Sequence, residues 1–227
     1  MTPAIKRASP PIYRLLQAFF RFVAWALLRQ EVTGLEHVPA EGPFLVVVNH
    51  LSMVEPVLIF NRFPRQMMMF AADKWKRTPG LSHLAEAVGV IWVARGEADL
   101  RAIKDMLRAF KAGYALGMAP EGTRSKTGQL QPGKPGAAYL ADRAQVPLVP
   151  VGVAGPEKLG RNLRRLRRTP VRMAVGPAFR LPGQGRAKAE ELEQHTEEIM
   201  CRIAALLPPE YRGVYADHPR VRDLLSS

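Results

Sequence analysis

Cys201 is the sole cysteine, so no internal disulfide can form, and no cysteine or histidine spacing suits a zinc site. This usage is compatible with a reducing compartment. Aromatic residues make up only 7% of the chain, which leaves few rings on which nucleic-acid bases could stack. The sequence has neither an aromatic RNA-binding signature nor a helix-turn-helix pattern. No apolar run reaches the ~20 residues that spanning a bilayer requires. The nearest approach, Ile12 to Leu28, is interrupted by Arg14, Gln17 and Arg21, and an arginine near the centre of a span is costly. Acidic side chains are in deficit too: 20 Asp+Glu face 33 Lys+Arg, a net charge of +13. Such a potential draws polyanions, whether nucleic acid, an anionic membrane or an acidic protein.

At 227 residues the chain suits one domain with a full core. Short apolar runs alternate with helical patterns. The runs Phe44–Val48, Gln66–Phe70, Val90–Val93, Tyr114–Ala119, Pro147–Val153 and Val171–Val175 predict strands. Helices are predicted over Ile12–Arg29, Val54–Arg62, Leu81–Ala87, Ala98–Ala112, Gly136–Arg143 and Ala187–Leu207. Strands separated by helices of this length predict an α/β fold: a single domain with a mainly parallel or mixed central sheet flanked by helices. The fully apolar strand runs suit a sheet buried on both faces. Pro150 lacks a ladder donor, so its strand should be irregular there.

Residues 1–30 read as an interfacial amphipathic helix, 31–207 as the main domain, and 208–227 as an irregular C-terminal extension packed on the body. In the first segment Leu15, Leu16, Phe19, Phe20, Val23, Ala26 and Leu27 recur at helical spacing, with Arg14, Arg21 and Arg29 flanking them. The competing reading is a terminal helix packed on the core.

Two short stretches concentrate chemistry. Asn49-His50-Leu51-Ser52-Met53-Val54-Glu55-Pro56 follows the first apolar run and sets an imidazole and a carboxylate five positions apart. Within one straight helix such residues point ~140° apart. With His50 ending a strand and Glu55 on the next helix, the turn between them can bring the side chains together. A carboxylate on one ring nitrogen leaves the other free to take a proton. The second stretch, Pro120-Glu121-Gly122-Thr123-Arg124-Ser125, follows another apolar run. Gly122 permits close backbone approach, and the Arg124 guanidinium is a forked donor suited to phosphate oxygens. Lys126 and Lys134 extend the cationic loop.

Taken with Gly89 to Arg95 and Val146 to Val151, these stretches resemble four blocks, in order, of the glycerolipid acyltransferases of the 1-acylglycerol-3-phosphate acyltransferase type. The resemblance covers roughly residues 30 to 180. It implies transfer of an acyl group from a thioester donor, acyl-CoA or acyl carrier protein, to the free hydroxyl of a lysophospholipid acceptor, by default 1-acylglycerol-3-phosphate, to give phosphatidic acid. It also implies that His50 is the general base, that Glu55 orients it, and that Arg95, Glu121, Gly122, Thr123 and Arg124 hold the acceptor phosphate. No cofactor and no metal are implied, with the thioester acting as co-substrate. The family usually carries aspartate where this chain has Glu55, so the partnership with His50 is expected to persist with the backbone slightly displaced.

Arg161, Arg164, Arg165, Arg167 and Arg168 crowd one window. They read as a contact for anionic headgroups or an acidic carrier protein, against the plainer reading of a solvated loop. With the N-terminal helix they supply two weak signals for peripheral attachment, expected at the cytoplasmic face of a membrane. The alternatives are an acyltransferase acting on another lysophospholipid or a glycolipid, a non-catalytic lipid-binding member, and, from the net charge, a nucleic-acid-binding protein. The missing nucleic-acid signatures weigh against the last.

Overall fold

A computed structural model of the chain describes residues 10–72, 78, 90–93 and 100–226. Among the described residues seven strands form one sheet: β1 (Leu28–Thr33), β2 (Leu45–Val48), β3 (Met67–Ala72), β4 (Val90–Val93), β5 (Ala115–Met118), β6 (Leu148–Ala154) and β7 (Thr169–Val175). Their order across the sheet is β1-β7-β6-β2-β5-β3-β4. All neighbours are parallel except β6 and β7. The predicted mixed α/β sheet is therefore present. The described helices are α1 (Pro10–Leu27), α2 (Val54–Arg62), α3 (Leu100–Lys111), α4 (Gly136–Ala144), α5 (Leu159–Leu163), α6 (Ala189–Ala205) and α7 (Pro219–Ser226). The predicted helix Leu81–Ala87 and Arg95 lie outside the described residues.

Alternate residues of β2 point to opposite faces and divide the core in two. Leu45 and Val47 pack with Met106, Phe110, Leu140 and Ile199. Phe44, Val46 and Val48 pack with Leu58, Ile59, Val151 and Met173. Both faces are covered, as fully apolar strands require.

Three expectations need correction. Leu28 and Arg29 were predicted as helix but open β1, which pairs with β7 from Leu28↔Thr169 onward. The apolar pattern of α1 runs into Leu28 without a stop signal, which explains the overrun. Pro150 does not disturb its own strand, because β6 is continuous and fully buried. The irregularity falls opposite. Leu148 bridges Phe179 while Val151 pairs with Val175, so the β7 side carries one extra residue. This is a bulge facing the missing donor, and the Pro150 carbonyl accepts from the Gly176 amide at 2.9 Å. The third correction is the C-terminal extension, which is not irregular throughout: it ends in α7. Helix α1 packs on the body along one face, as the plainer reading expects. Tyr13, Leu16 and Phe20 pack on Phe60 of α2, while Leu15, Phe19, Phe22 and Trp25 form a second, exposed apolar face. Among the described residues no helix is long and apolar enough to cross a membrane.

Candidate active site

β2 and β5 are adjacent and parallel, so their carboxyl ends open on the same side of the sheet. This is where α/β sheets place their ligands. His50 follows β2 and Glu121 follows β5. Asn49, fully buried, prolongs the β2–β6 pairing with its side chain: Nδ2 donates to the Val153 carbonyl at 2.8 Å, and Oδ1 accepts from the Val153 amide at 2.7 Å. The base of His50 is thereby fixed to the sheet.

The following turn ends at α2, and Glu55 lies in its first helical turn, 1% exposed. Glu55 Oε1 accepts from the amides of Leu51 (2.9 Å) and Ser52 (2.7 Å), and the Ser52 hydroxyl accepts from the Val54 amide (2.9 Å). This is a variant of the capping box, in which a glutamate reaches back to the amides that open a helix. The other oxygen, Oε2, lies 3.6 Å from His50 Nδ1. That is ion-pair range but longer than a hydrogen bond. One carboxylate thus both caps the turn and faces the imidazole. The predicted pairing is present as proximity, with the shorter bonds going to the turn. The His50 side chain retains 21% exposure.

The loop after β5 is stitched to His50 on both sides of its peptide unit. The His50 amide donates to Glu121 Oε1 at 2.7 Å, and the His50 carbonyl accepts from the Ser125 amide at 2.8 Å. Glu121 Oε2 accepts from the Gln131 amide (3.0 Å) and from Gln131 Nε2 (3.3 Å). Burial holds the Glu121 carboxyl above the usual range, opposed by these hydrogen bonds from His50 and Gln131. Both of its oxygens are thus committed to protein donors, which differs from the phosphate contact that the family resemblance implies.

Gly122, Thr123 and Arg124 are exposed, and Arg124 makes no hydrogen bond or ion pair with a described residue. Gly122 has φ +68°, and a Cβ there would sit 3.2 Å from Lys134 Cδ and 3.4 Å from Lys134 Nζ. The ammonium of Lys134 therefore lies over the loop that carries Arg124. Gln131 belongs to the site although the sequence gives it no role, and Lys134 and Asn49 belong to it through contacts that the sequence does not specify. Lys134 sits in a Gly/Pro-rich stretch already noted as cationic, whereas nothing local marks Gln131. A cavity of about 260 Å³ lies between the same loop and α6, lined by Gly133, Pro135, Glu193, Thr196, Glu197 and Tyr215. Its two glutamates make it unsuited to a phosphate.

Of the arginine cluster, Arg161 lies on α5 and the other four occupy the turn between α5 and β7. All five arginines are exposed. Leu166 stands at the tip of this turn with φ +51° and 94% exposure. Arg168 lies 5.6 Å from the ring centroid of Trp25 and donates to the Leu28 carbonyl at 2.7 Å. The cluster therefore adjoins the end of α1 that carries the exposed apolar face.

An α/β domain with an imidazole, a buried carboxylate and a cationic loop at the carboxyl ends of parallel strands narrows the class. The chain belongs to the Acyltransferase family, whose model matches residues 29–154. It is similar to the 1-acyl-sn-glycerol-3-phosphate acyltransferase of Borreliella burgdorferi, with 26% identity over 60% of this chain and 56% of that protein. It is also similar to the human 1-acyl-sn-glycerol-3-phosphate acyltransferase alpha, with 32% identity over 55% of this chain and 45% of that one. The chain thus spans about half the length of the curated relatives it matches. The solved structure of the 1-acyl-sn-glycerophosphate acyltransferase PlsC of Thermotoga maritima shares the fold, with a TM-score of 0.66, 24% identity, and coverage of 82% of this chain and 76% of that one.

Proposed function

We propose that the chain moves a fatty acyl group from a thioester, acyl-CoA or acyl carrier protein, to the free hydroxyl of 1-acylglycerol-3-phosphate, forming phosphatidic acid. The observation that carries this reading is His50, partly exposed at the end of β2 with Nδ1 facing the buried Glu55 at 3.6 Å. The names of the similar proteins support the choice of acceptor.

In this mechanism Nε2 of His50 takes the proton of the acceptor hydroxyl. The oxygen attacks the thioester carbonyl, the C–S bond breaks, and the leaving thiolate recovers the proton from the imidazolium. Glu55, facing Nδ1, orients the ring. Arg124, with Arg95, Thr123 and the backbone at Gly122, holds the acceptor phosphate, and Lys134 adds a second charge. Glu121 serves by fixing the His50 backbone. The chemistry calls for neither a metal nor a covalent enzyme intermediate.

The exposed face of α1 and the five arginines favour a peripheral position on an anionic membrane, where an amphiphilic acceptor resides. A soluble thioester donor suits the cytoplasmic face. Apolar side chains beside the arginines favour lipid over nucleic acid as the partner.

The test is thiol release across a panel of lysolipid acceptors with both donors. His50→Ala is expected to lose ~10²–10⁴-fold in turnover with its fold unchanged by circular dichroism. Substantial residual turnover would reject the general-base role. A preference for an acceptor without phosphate would reject the assignment of substrate.

A further inference from the structure

The mechanism leaves one pattern unexplained. Residues 208–218 are bonded repeatedly to the segment that supports Glu121. The Leu130 amide donates to the Tyr211 carbonyl (2.9 Å), Gln129 Nε2 donates to the Glu210 carbonyl (3.2 Å), and the Gly133 amide donates to the Tyr215 hydroxyl (3.2 Å). Gln131 lies between these anchors and holds Glu121 Oε2 with both its amide and its side chain. The opposite oxygen of the same carboxylate holds the His50 amide.

The segment has little slack. Leu130 is 2% exposed. Gly133 packs so tightly that a Cβ there would lie 2.6 Å from Met200 Cγ. Tyr215 is itself buried, and burial pushes its phenol up, which keeps the hydroxyl neutral as a partner for the Gly133 amide. A displacement of Gly133 is therefore passed to Gln131 and then to a carboxylate with no free oxygen.

We propose that Tyr215 is a positioning residue for acyl transfer. Through Gly133, Gln131 and Glu121 it sets the backbone of His50. The C-terminal segment is thereby part of the catalytic apparatus, although it lies beyond residues 29–154, which the family model matches. The inference rests on the proposed role of His50.

The test is Tyr215→Phe, which removes one oxygen and keeps the ring, beside Gln131→Met, which removes the side-chain donor to Glu121 and keeps the backbone amide. Each is expected to lower kcat about tenfold, the equivalent of one lost hydrogen bond, while both KM values stay within about twofold. The double variant is expected to cost no more than about the larger single effect, because both act through Glu121. In parallel, amide hydrogen exchange at Gln131 and His50 should speed up in Tyr215→Phe. The proposal is overturned by multiplicative losses in the double variant, by a rise in KM with kcat unchanged, or by faster exchange confined to Gly133. Wild-type protein that shows no acyl transfer would reject the proposed function, while the exchange measurement would still decide whether Tyr215 reaches His50. If Tyr215→Phe does not fold, Gln131→Met tests the same path by kcat and by exchange at His50.

Discussion

Two buried carboxylates flank His50, and their partners set them apart. Glu55 approaches the ring, while Glu121 binds the backbone amide and never reaches the imidazole by a hydrogen bond. Arg124 contrasts with both, since it is exposed and has no bonded partner among the described residues. A charge-assisted bond to a phosphate contributes ~1.5–3 kcal/mol, so Arg124→Ala should raise KM for the acceptor about 10- to 100-fold. KM for the thioester donor should move far less. Equal changes in both would argue against a phosphate site in this loop. At this scale the sequence is informative about residue types and poor about contacts. His50 with Glu55 and the Glu121–Arg124 loop could be singled out from spacing and resemblance. The attachment of Glu121 to Gln131 could not, because both look like ordinary loop residues until folding sets them 3.0 Å apart.

At the scale of elements, α2 illustrates local control: it starts at Val54 and ends at Arg62, as predicted, because Ser52 and Glu55 satisfy the amides at its start. The overrun of α1 into β1 shows the limit of local control. Leu28 continues a helical apolar pattern, and only the edge of β7 supplies the ladder that makes it a strand. The C-terminal helix α7 likewise depends on a partner. Arg220 Nε donates to Glu198 Oε2 at 2.7 Å, and Arg202 Nε donates to Oε1 of the same carboxylate. His218 adds a contact to Glu197 at 2.7 Å and another to the thiol of Cys201 at 3.3 Å. Burial pushes that thiol up to about 12, so it remains a thiol and not a nucleophile. The Arg220 guanidinium, then Arg202, hold the Glu198 carboxyl below its usual range, against burial. Its stabilising effect is therefore full above the ordinary carboxylate value and is lost as pH falls through the lowered one. Glu198→Gln should cost about 1 kcal/mol near neutrality, a figure kept small because Arg220 is partly solvated. The difference in melting temperature from wild type should shrink on acidification below pH ~4. A difference that persists in acid would show that packing, not charge, carries the contribution of Glu198.

Across the whole molecule the net charge of +13 gains direction from the fold. Arg168, at the end of the arginine cluster, meets the end of α1, so the cluster begins where the exposed Trp25 stands. Each cation near an anionic surface contributes ~1 kcal/mol, screened by salt. Sedimentation with anionic vesicles should fall as ionic strength rises and should leave a residue of binding that neutral vesicles share. Salt-independent binding would assign attachment to α1 alone, and no binding would remove the membrane surface from the proposal.

From its amino acids alone the chain specified an α/β domain and the places of six strands along it, but neither β1 nor the order of the strands across the sheet. It also specified an imidazole, carboxylates and a cationic loop placed just after apolar runs. Those properties live in periodicity and in short-range spacing. Folding alone decided that Asn49 ties to Val153, 104 positions away, that β7 absorbs the irregularity caused by Pro150, and that Tyr215 supports Gly133 across 82 positions. Such contacts join groups whose local sequences do not mention each other. They become favourable only once burial has removed water as the competing partner for each donor and acceptor.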